Sequence, residues 1–152
     1  VNLDGVFFCM QAEIEAMLAT GGGAIVNIAS GAVVEPHATL SAYGASKAGV
    51  EHLTRTAAVE YAGAGIRVNG VAPGPVDQTE GARRLLVGTS RKRAVKSTPL
   101  GRLGGIADVS DAALFLCSEA AAFITGVTLV VDGGLWLASR SLVDEDAKNV
   151  EE

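Results

Sequence analysis

A tyrosine and a lysine four residues apart are the side chains of this sequence best suited to chemistry. Tyr43 and Lys47 stand in the segment SAYGASKAGV, at the start of a stretch with helical spacing, so both lie on one helix face, a turn apart. A tyrosine alone is a poor acid–base group because its pKa is about 10. A lysine ammonium ~4 Å away, at an effective dielectric constant of roughly 20, favours the phenolate by about 4 kcal/mol. Such a pair suits proton transfer near neutral pH; the alternative is an ordinary Tyr–Lys pair on a solvated helix.

A serine stands where it could hold a substrate oxygen beside that tyrosine. Ser30 follows the apolar run Ala24 to Ile28, which has the length and composition of a buried strand. Ligands of open α/β sheets bind at the carboxyl ends of the strands, and a hydroxyl both donates and accepts hydrogen bonds. The alternative is a loop serine that bonds its own backbone.

The elements that must position these residues alternate between strand and helix. Apolar residues at Phe7, Met10, Ile14 and Met17 or Leu18 predict a helix that ends at Thr20. Further helices are predicted over 42–62 and 107–118, strands over 24–28, 66–72 and 127–131, and an irregular segment over 76–105. Alternation of this kind predicts an α/β fold with about three parallel strands and flanking helices.

This sheet is expected to be the carboxyl-terminal part of a doubly wound, Rossmann-like sheet. Such a sheet has two βαβαβ halves and a glycine-rich phosphate-binding turn after its first strand. The sequence contains no G-x-G-x-x-G, because Val26 and Val68 stand where the last glycine of the two nearest candidates would be. We therefore expect that the amino-terminal half is missing. Residues 1–138 are predicted to be the catalytic part of a dinucleotide-binding domain, and residues 139–152 an acidic, flexible tail.

Composition argues against several other classes of protein. The net charge is −5, and no basic stripe is interleaved with aromatic residues, so a nucleic-acid partner is not expected. No apolar run approaches the ~20 residues that cross a bilayer, which favours a cytoplasmic protein. Cys9 and Cys117 match no metal or redox spacing and are predicted to be buried, reduced thiols; no metal site is expected.

Several motifs in order resemble one known family. The segments AIVNIAS, SAYGASKAGV, AAVEYAGAGIRVNGVAPGPV and FITGVTLVVDGG are similar to those of short-chain dehydrogenases/reductases, and the resemblance covers residues 1 to about 135. It implies that Tyr43 is the general acid–base and that Lys47 binds the nicotinamide ribose and lowers the tyrosine pKa. It also implies that Ser30 orients the substrate oxygen. Asn2 matches an asparagine of the family's proton relay, although a helix-cap role is equally sound.

The resemblance also implies residues that contact the cofactor, which would be NAD or NADP. Pro73, Gly74 and Val76 match the turn that flanks the nicotinamide ring, beside Tyr43 and Lys47. The family's threonine is expected where Gln78 stands, so Thr79, one position later, is the candidate for its cofactor contact.

The predicted function is hydride transfer between a nicotinamide cofactor and a small carbonyl or secondary alcohol substrate, in a parent protein expected to be a homo-oligomer. Two alternatives remain open at this point. The first is a catalytically inactive truncated fragment or oligomerisation module, and this chain alone is expected to be inactive. The second is a lyase or epimerase of the same family. The basic run Arg91-Lys92-Arg93 could meet an anionic substrate or form a solvated face.

Overall fold

Three parallel strands form the sheet of this protein. The computed structural model describes residues 1–33 and 38–138. Its strands are β1 (Gly23–Ile28), β2 (Ile66–Pro73) and β3 (Thr128–Val131), in the order β1-β2-β3 with β2 at the centre. Ile25 pairs with Val68, and Val71 pairs with Leu129. The α/β class, the three strands and their parallel arrangement are confirmed.

Six helices accompany the strands in the described ranges. They are α1 (Asp4–Thr20), α2 (Ser41–Tyr61), α3 (Glu80–Leu85), α4 (Thr89–Ser97), α5 (Ile106–Cys117) and α6 (Leu135–Ala138). Single 3-10 turns occupy Gly31–Val33, Ala62–Ala64 and Glu119–Ala121. The helices predicted near the amino terminus, over 42–62 and over 107–118 are confirmed as α1, α2 and α5.

The prediction of an irregular segment over 76–105 is wrong, because this segment contains α3 and α4. Thr79 caps α3 by accepting a hydrogen bond from the Ala82 amide at 3.2 Å. Gly88, at φ 56°, separates the two helices. Ala82 is the one buried residue of α3, and α4 has none. Helices that bury so little carry no apolar period for a sequence pattern to reveal.

One face of the sheet is covered by α1 and α2. Met10 and Ile14 from α1 meet Ala57 and Ala58 from α2 over the strands, in a cluster that also holds Ile25, Ile66 and Val68. The turns before β1 and β2 also pack closely, since a Cβ on Gly22 would lie 2.7 Å from the Gly65 carbonyl oxygen. The helix that carries Tyr43 and Lys47 is therefore held by the core of the domain.

The other face is covered by α5. Successive side chains of a strand point to opposite faces of the sheet. Arg67 and Asn69 of β2 therefore point away from the face that α1 and α2 cover. Arg67 donates to the Leu116 carbonyl at the end of α5, at 2.7 Å, and the Asn69 amide donates to the Ile124 carbonyl at 2.9 Å. Asn69 also accepts from the Val127 amide at 3.2 Å. Arg67 therefore satisfies a carbonyl that the end of α5 leaves without an intrahelical partner, and Asn69 satisfies a carbonyl in the loop before β3.

Both cysteines are exposed free thiols, so the prediction that they are buried is wrong. Cys9 lies on α1 and Cys117 is the last residue of α5, and chain spacing does not reveal the exposure of either. The described residues contain neither a helix able to cross a membrane nor a cluster of side chains able to hold a metal ion. The acidic tail 139–152 lies outside the described residues.

Candidate active site

The residues proposed for chemistry gather at the carboxyl edge of the sheet. Ser30 follows β1, and Pro73 and Gly74 end β2. The strand ladder continues beyond both strands, since the Ala29 amide donates to the Val71 carbonyl at 2.7 Å and the Gly74 amide donates to the Val131 carbonyl at 2.9 Å. A Cβ on Gly31 would lie 4.0 Å from the Pro73 carbonyl oxygen. The loop after β1 and the turn after β2 are therefore neighbours at the edge where ligands of such sheets bind.

Tyr43 and Lys47 are one turn apart on α2, and the structure brings their side chains together. The Lys47 Nζ lies 5.9 Å from the centre of the Tyr43 ring. The same ammonium donates to the Ile28 carbonyl at 2.7 Å. Lys47 is 9% exposed, whereas Tyr43 is half-buried. The lysine is thus held in place by the end of β1, with the tyrosine beside it in partial contact with solvent.

Burial lowers the pKa of Lys47 from its usual value of 10.5. Removing an ammonium from water disfavours its charged form. The hydrogen bond to Ile28 uses one of the three N–H donors of the ammonium, which leaves donors for a second oxygen nearby. Such an ammonium can donate a hydrogen bond to a hydroxyl and, through its positive charge, stabilise a neighbouring phenolate at the same time.

Ser30 is half-buried and directly precedes the 3-10 turn Gly31–Val33. Its carbonyl accepts from the Val33 amide at 3.2 Å, and that turn packs against α2. The loop that carries Ser30 therefore rests on the helix that carries Tyr43. His37, in the same loop, lies outside the described residues.

Asn2 is exposed, and the structure does not support its role as a helix cap. Leu3 is the residue that caps α1, without a side-chain hydrogen bond. Asn2 instead lines a groove of about 520 Å³ along the outer edge of β1, and Lys47 lines the same groove. The structure therefore brings Asn2 to the same cavity as Lys47.

The turn after β2 is held by an unusually dense set of hydrogen bonds. The Asp77 amide donates to the Gly104 carbonyl at 2.8 Å, and the Gly104 amide donates to the Pro75 carbonyl at 3.0 Å. Gln78 adopts a left-handed backbone conformation, with φ 62°, which is strained for a residue other than glycine. The Thr79 hydroxyl donates to the Val76 carbonyl at 2.8 Å while it caps α3, so this hydroxyl is already engaged.

Comparison with known proteins identifies the family. A family model described as Enoyl-(Acyl carrier protein) reductase matches residues 1–136. A short chain dehydrogenase/reductase, astE, from Aspergillus oryzae (strain ATCC 42149 / RIB 40) is 42% identical over 140 residues, which are 90% of this chain and 54% of the relative. The chain belongs to the short-chain dehydrogenase/reductase family. The resemblance inferred from its motifs is thereby confirmed.

Two further members of this family are similar to the chain. Cyclohexanol dehydrogenase from Acinetobacter sp. (strain SE19) is 45% identical over 133 residues, which are 88% of this chain and 51% of that enzyme. The crystal structure of a gluconate 5-dehydrogenase from Burkholderia cenocepacia J2315, in complex with NADP and tartrate, is 42% identical with a TM-score of 0.84. The comparison covers 89% of this chain and 53% of that one. The chain spans about half the length of the relatives it matches.

Sequence patterns miss the buried contact that fixes α2, the helix of Tyr43 and Lys47, in this short-chain dehydrogenase/reductase. The Asn27 amide, one residue before the end of β1, donates to the Thr54 hydroxyl on α2 at 2.9 Å, and that hydroxyl donates to the Val50 carbonyl at 2.8 Å. Asn27 also approaches the Met10 sulfur at 3.2 Å. An asparagine inside an otherwise apolar strand is the only trace of this contact in the sequence.

Proposed function

We propose that this chain forms the catalytic part of an NAD(P)-dependent oxidoreductase that interconverts a carbonyl and a secondary alcohol. The observation that carries the proposal is the position of Lys47, buried against the Ile28 carbonyl and beside the Tyr43 ring. The hydrogen bond to the Ile28 carbonyl holds the Lys47 ammonium beside the ring on which a phenolate would form, and a positive charge there favours the phenolate. The family of the chain and the NADP bound to the gluconate 5-dehydrogenase support a nicotinamide cofactor.

In this proposal, Tyr43 is the general acid–base. During reduction, its phenol protonates the substrate oxygen as that oxygen gains charge, and during oxidation the phenolate removes the alcohol proton. Lys47 stabilises the phenolate through its positive charge. Ser30, on the loop that rests against α2, donates a hydrogen bond to the same substrate oxygen and so fixes the reacting carbon.

The described residues fit the nicotinamide end of a dinucleotide. The free N–H donors of Lys47 suit ribose hydroxyls, and the turn that contains Pro73, Gly74 and Val76 lies at the same edge of the sheet. Thr79 would contact the cofactor from the end of this turn through its backbone, because its hydroxyl is engaged. When bound, the cofactor supplies or accepts the hydride. Asn2, in the groove that Lys47 also lines, would bind water that returns protons to Lys47.

The 152-residue chain alone is proposed to lack turnover. Dinucleotide affinity depends on a helix amino terminus that receives the pyrophosphate and on contacts to the adenine ribose. The sequence contains no glycine-rich turn of the required spacing. Among the described strands, the outer edge of β1 is unpaired, where a further strand of the sheet can add.

A homo-oligomer is proposed for the active protein. The outer faces of α1 and α2 present apolar side chains to solvent, among them Phe8, Leu18 and Val59, which is 83% exposed. Apolar side chains gathered on neighbouring helices are typical of protein–protein interfaces. Partner chains of the same sequence can cover these faces through a two-fold axis.

Transfer of a labelled hydride tests the proposed function. We would join the amino-terminal half of the Acinetobacter cyclohexanol dehydrogenase to this chain at the start of their aligned region, and call the product the joined enzyme. With cofactor deuterated at the nicotinamide carbon 4 and cyclohexanone as substrate, the deuterium should appear on the alcohol carbon. The lyase or epimerase alternative would be favoured if the joined enzyme bound the cofactor without transferring the label. Elimination from a substrate, or inversion of its configuration, would favour it too.

A further inference from the structure

The positive charge of this acidic chain is concentrated in one segment that lies between β2 and α5. Residues 78–103, named here the basic arm, hold seven of the chain's 12 lysines and arginines and one of its 17 acids. The seven are Arg83, Arg84, Arg91, Lys92, Arg93, Lys96 and Arg102. The arm buries little of its surface, so its charges are not needed to hold a core together.

The basic arm leaves and rejoins the sheet at the edge where Ser30 lies. It begins directly after the turn that ends at Asp77, and a β-bridge between Val76 and Gly104 closes its base. The Leu100 amide donates to the Gly133 carbonyl, just beyond β3, at 3.2 Å. The base of the arm is therefore beside the proposed catalytic cleft.

Two arginines at this base, Arg83 and Arg84, share one carboxylate, that of Glu80. The Glu80 carboxylate lies 2.7 Å from the Arg84 guanidinium and 3.8 Å from that of Arg83. Arg83 also donates to the Gln78 carbonyl at 3.2 Å, which keeps it over the turn that follows Val76. By contrast, Arg91 and Arg102 are neutralised by two-point ion pairs with Asp77 and Asp108.

We propose that Arg83 and Arg84 bind an anionic group of the substrate, so that the enzyme acts on alcohols or ketones that carry a carboxylate, phosphate or sulfonate. This inference rests on the proposed function. Two guanidinium groups that converge on the single carboxylate of Glu80 leave a net positive charge. An anionic group of the substrate can neutralise this charge. Guanidinium groups suit such anions because their planar donors match two oxygens at once. Exposed apolar side chains at Leu85 and Val87 follow directly and suit the carbon skeleton of the same molecule.

A matched pair of substrates tests this inference in the joined enzyme. The compounds are cyclohexanol and cis-4-hydroxycyclohexanecarboxylate, which differ by one carboxylate. We expect Arg83→Gln to lower the ratio of kcat/KM for the carboxylate over cyclohexanol by about 3- to 5-fold, the upper range for one exposed ion pair. Glu80→Gln removes the competing carboxylate and should raise the ratio.

Arg93→Gln is the control, since it removes the same charge from the same arm but lies on α4 and not on α3 with Arg83 and Arg84. It should change the ratio less than 2-fold. Equal losses in Arg83→Gln and Arg93→Gln would indicate diffuse attraction by the arm and overturn the proposed contact. Unchanged ratios in Arg83→Gln and Glu80→Gln would also overturn it.

Ligand binding to the 152-residue chain separates this inference from the proposed function. Saturation-transfer NMR with the same two compounds requires no turnover. Preferential binding of the carboxylate, reduced by Arg83→Gln and not by Arg93→Gln, supports the inference even if the joined enzyme transfers no hydride. Equal binding of both compounds contradicts it. Binding to anionic lipid vesicles or DNA that both variants weaken alike would assign the arm to a macromolecular partner and would overturn it too.

Discussion

The Lys47 ammonium lies 2.7 Å from the carbonyl oxygen of Ile28, so the helix with the proposed acid–base pair is tied to the last residue of β1. The same ammonium lies 5.9 Å from the centre of the Tyr43 ring. Lys47 thereby both fixes α2 against β1 and supplies the positive charge at the site. Loss of its side chain should therefore affect the position of α2 and the proton transfer by Tyr43 together.

The pH dependence of the joined enzyme should report the charge of Lys47. Burial lowers the pKa of this lysine below 10.5, and the proposal needs it protonated, so kcat/KM should fall as pH rises through the lowered pKa. Lys47→Arg keeps its charge to higher pH. Its alkaline limb should therefore move upward, at a lower maximal rate because the guanidinium has a different shape. An identical alkaline limb in both enzymes would mean that Lys47 does not set it.

The contact between Asn27 and Thr54 should contribute measurably to stability. Thr54→Val keeps the shape of the side chain but removes the oxygen that accepts from Asn27, which leaves a buried donor without its oxygen partner. We expect the free energy of unfolding to fall by about 1–3 kcal/mol. Thr54→Ser should restore most of it. Thr56→Val, the same change at an exposed position of α2, should be nearly neutral in chemical denaturation of the joined enzyme, and an equal loss there would refute this account.

Gly74 should not tolerate a side chain. A Cβ at this position would lie 2.6 Å from the Cβ of Asp132. Asp132 cannot readily move, because it accepts from the amides of Gly134 and Trp136, each at 2.8 Å. Gly74→Ala should lower the free energy of unfolding by about 1–3 kcal/mol and raise KM for the cofactor by displacing the turn.

Gly81→Ala is the control for that change. A Cβ there would come no closer than 4.0 Å to the Thr79 hydroxyl, within the helix α3. Alanine in a helix should stabilise the enzyme by about 0.5–1 kcal/mol. If both alanine variants had the same effect in thermal unfolding, close packing of Gly74 against Asp132 would not be the cause.

The sequence predicted the sheet because buried parallel strands are short, continuous apolar runs, as in AIVNI. It predicted α1, α2 and α5 because each has an apolar face. It missed α3 and α4 because helices that bury almost nothing have no such face. The sequence also missed the exposure of Cys9 and Cys117. Free cysteines are most often buried, and only the packing of α1 and α5 determines whether these two are.

At the site, spacing alone predicted that Tyr43 and Lys47 share a helix face, and the structure confirms that their side chains are neighbours. The bond from Lys47 to Ile28 could not be predicted, because it joins elements 19 residues apart through a backbone oxygen. The bond between Asn27 and Thr54 joins residues still farther apart, 27 positions along the chain. Contacts of this kind depend on how α2 crosses the sheet, which no local pattern encodes.

The kinetics of Tyr43→Phe in the joined enzyme test the central claim most directly. The variant removes one hydroxyl and keeps the ring beside Lys47. General acid–base catalysis contributes about 10²- to 10⁴-fold, so kcat should fall by at least about 100-fold. The dissociation constant for NADPH or NADH, measured by cofactor fluorescence, should change less than about 3-fold, since the dinucleotide contacts remain. A Tyr43→Phe enzyme that retained more than a few per cent of the parental kcat would contradict the assignment of Tyr43 as the acid–base group.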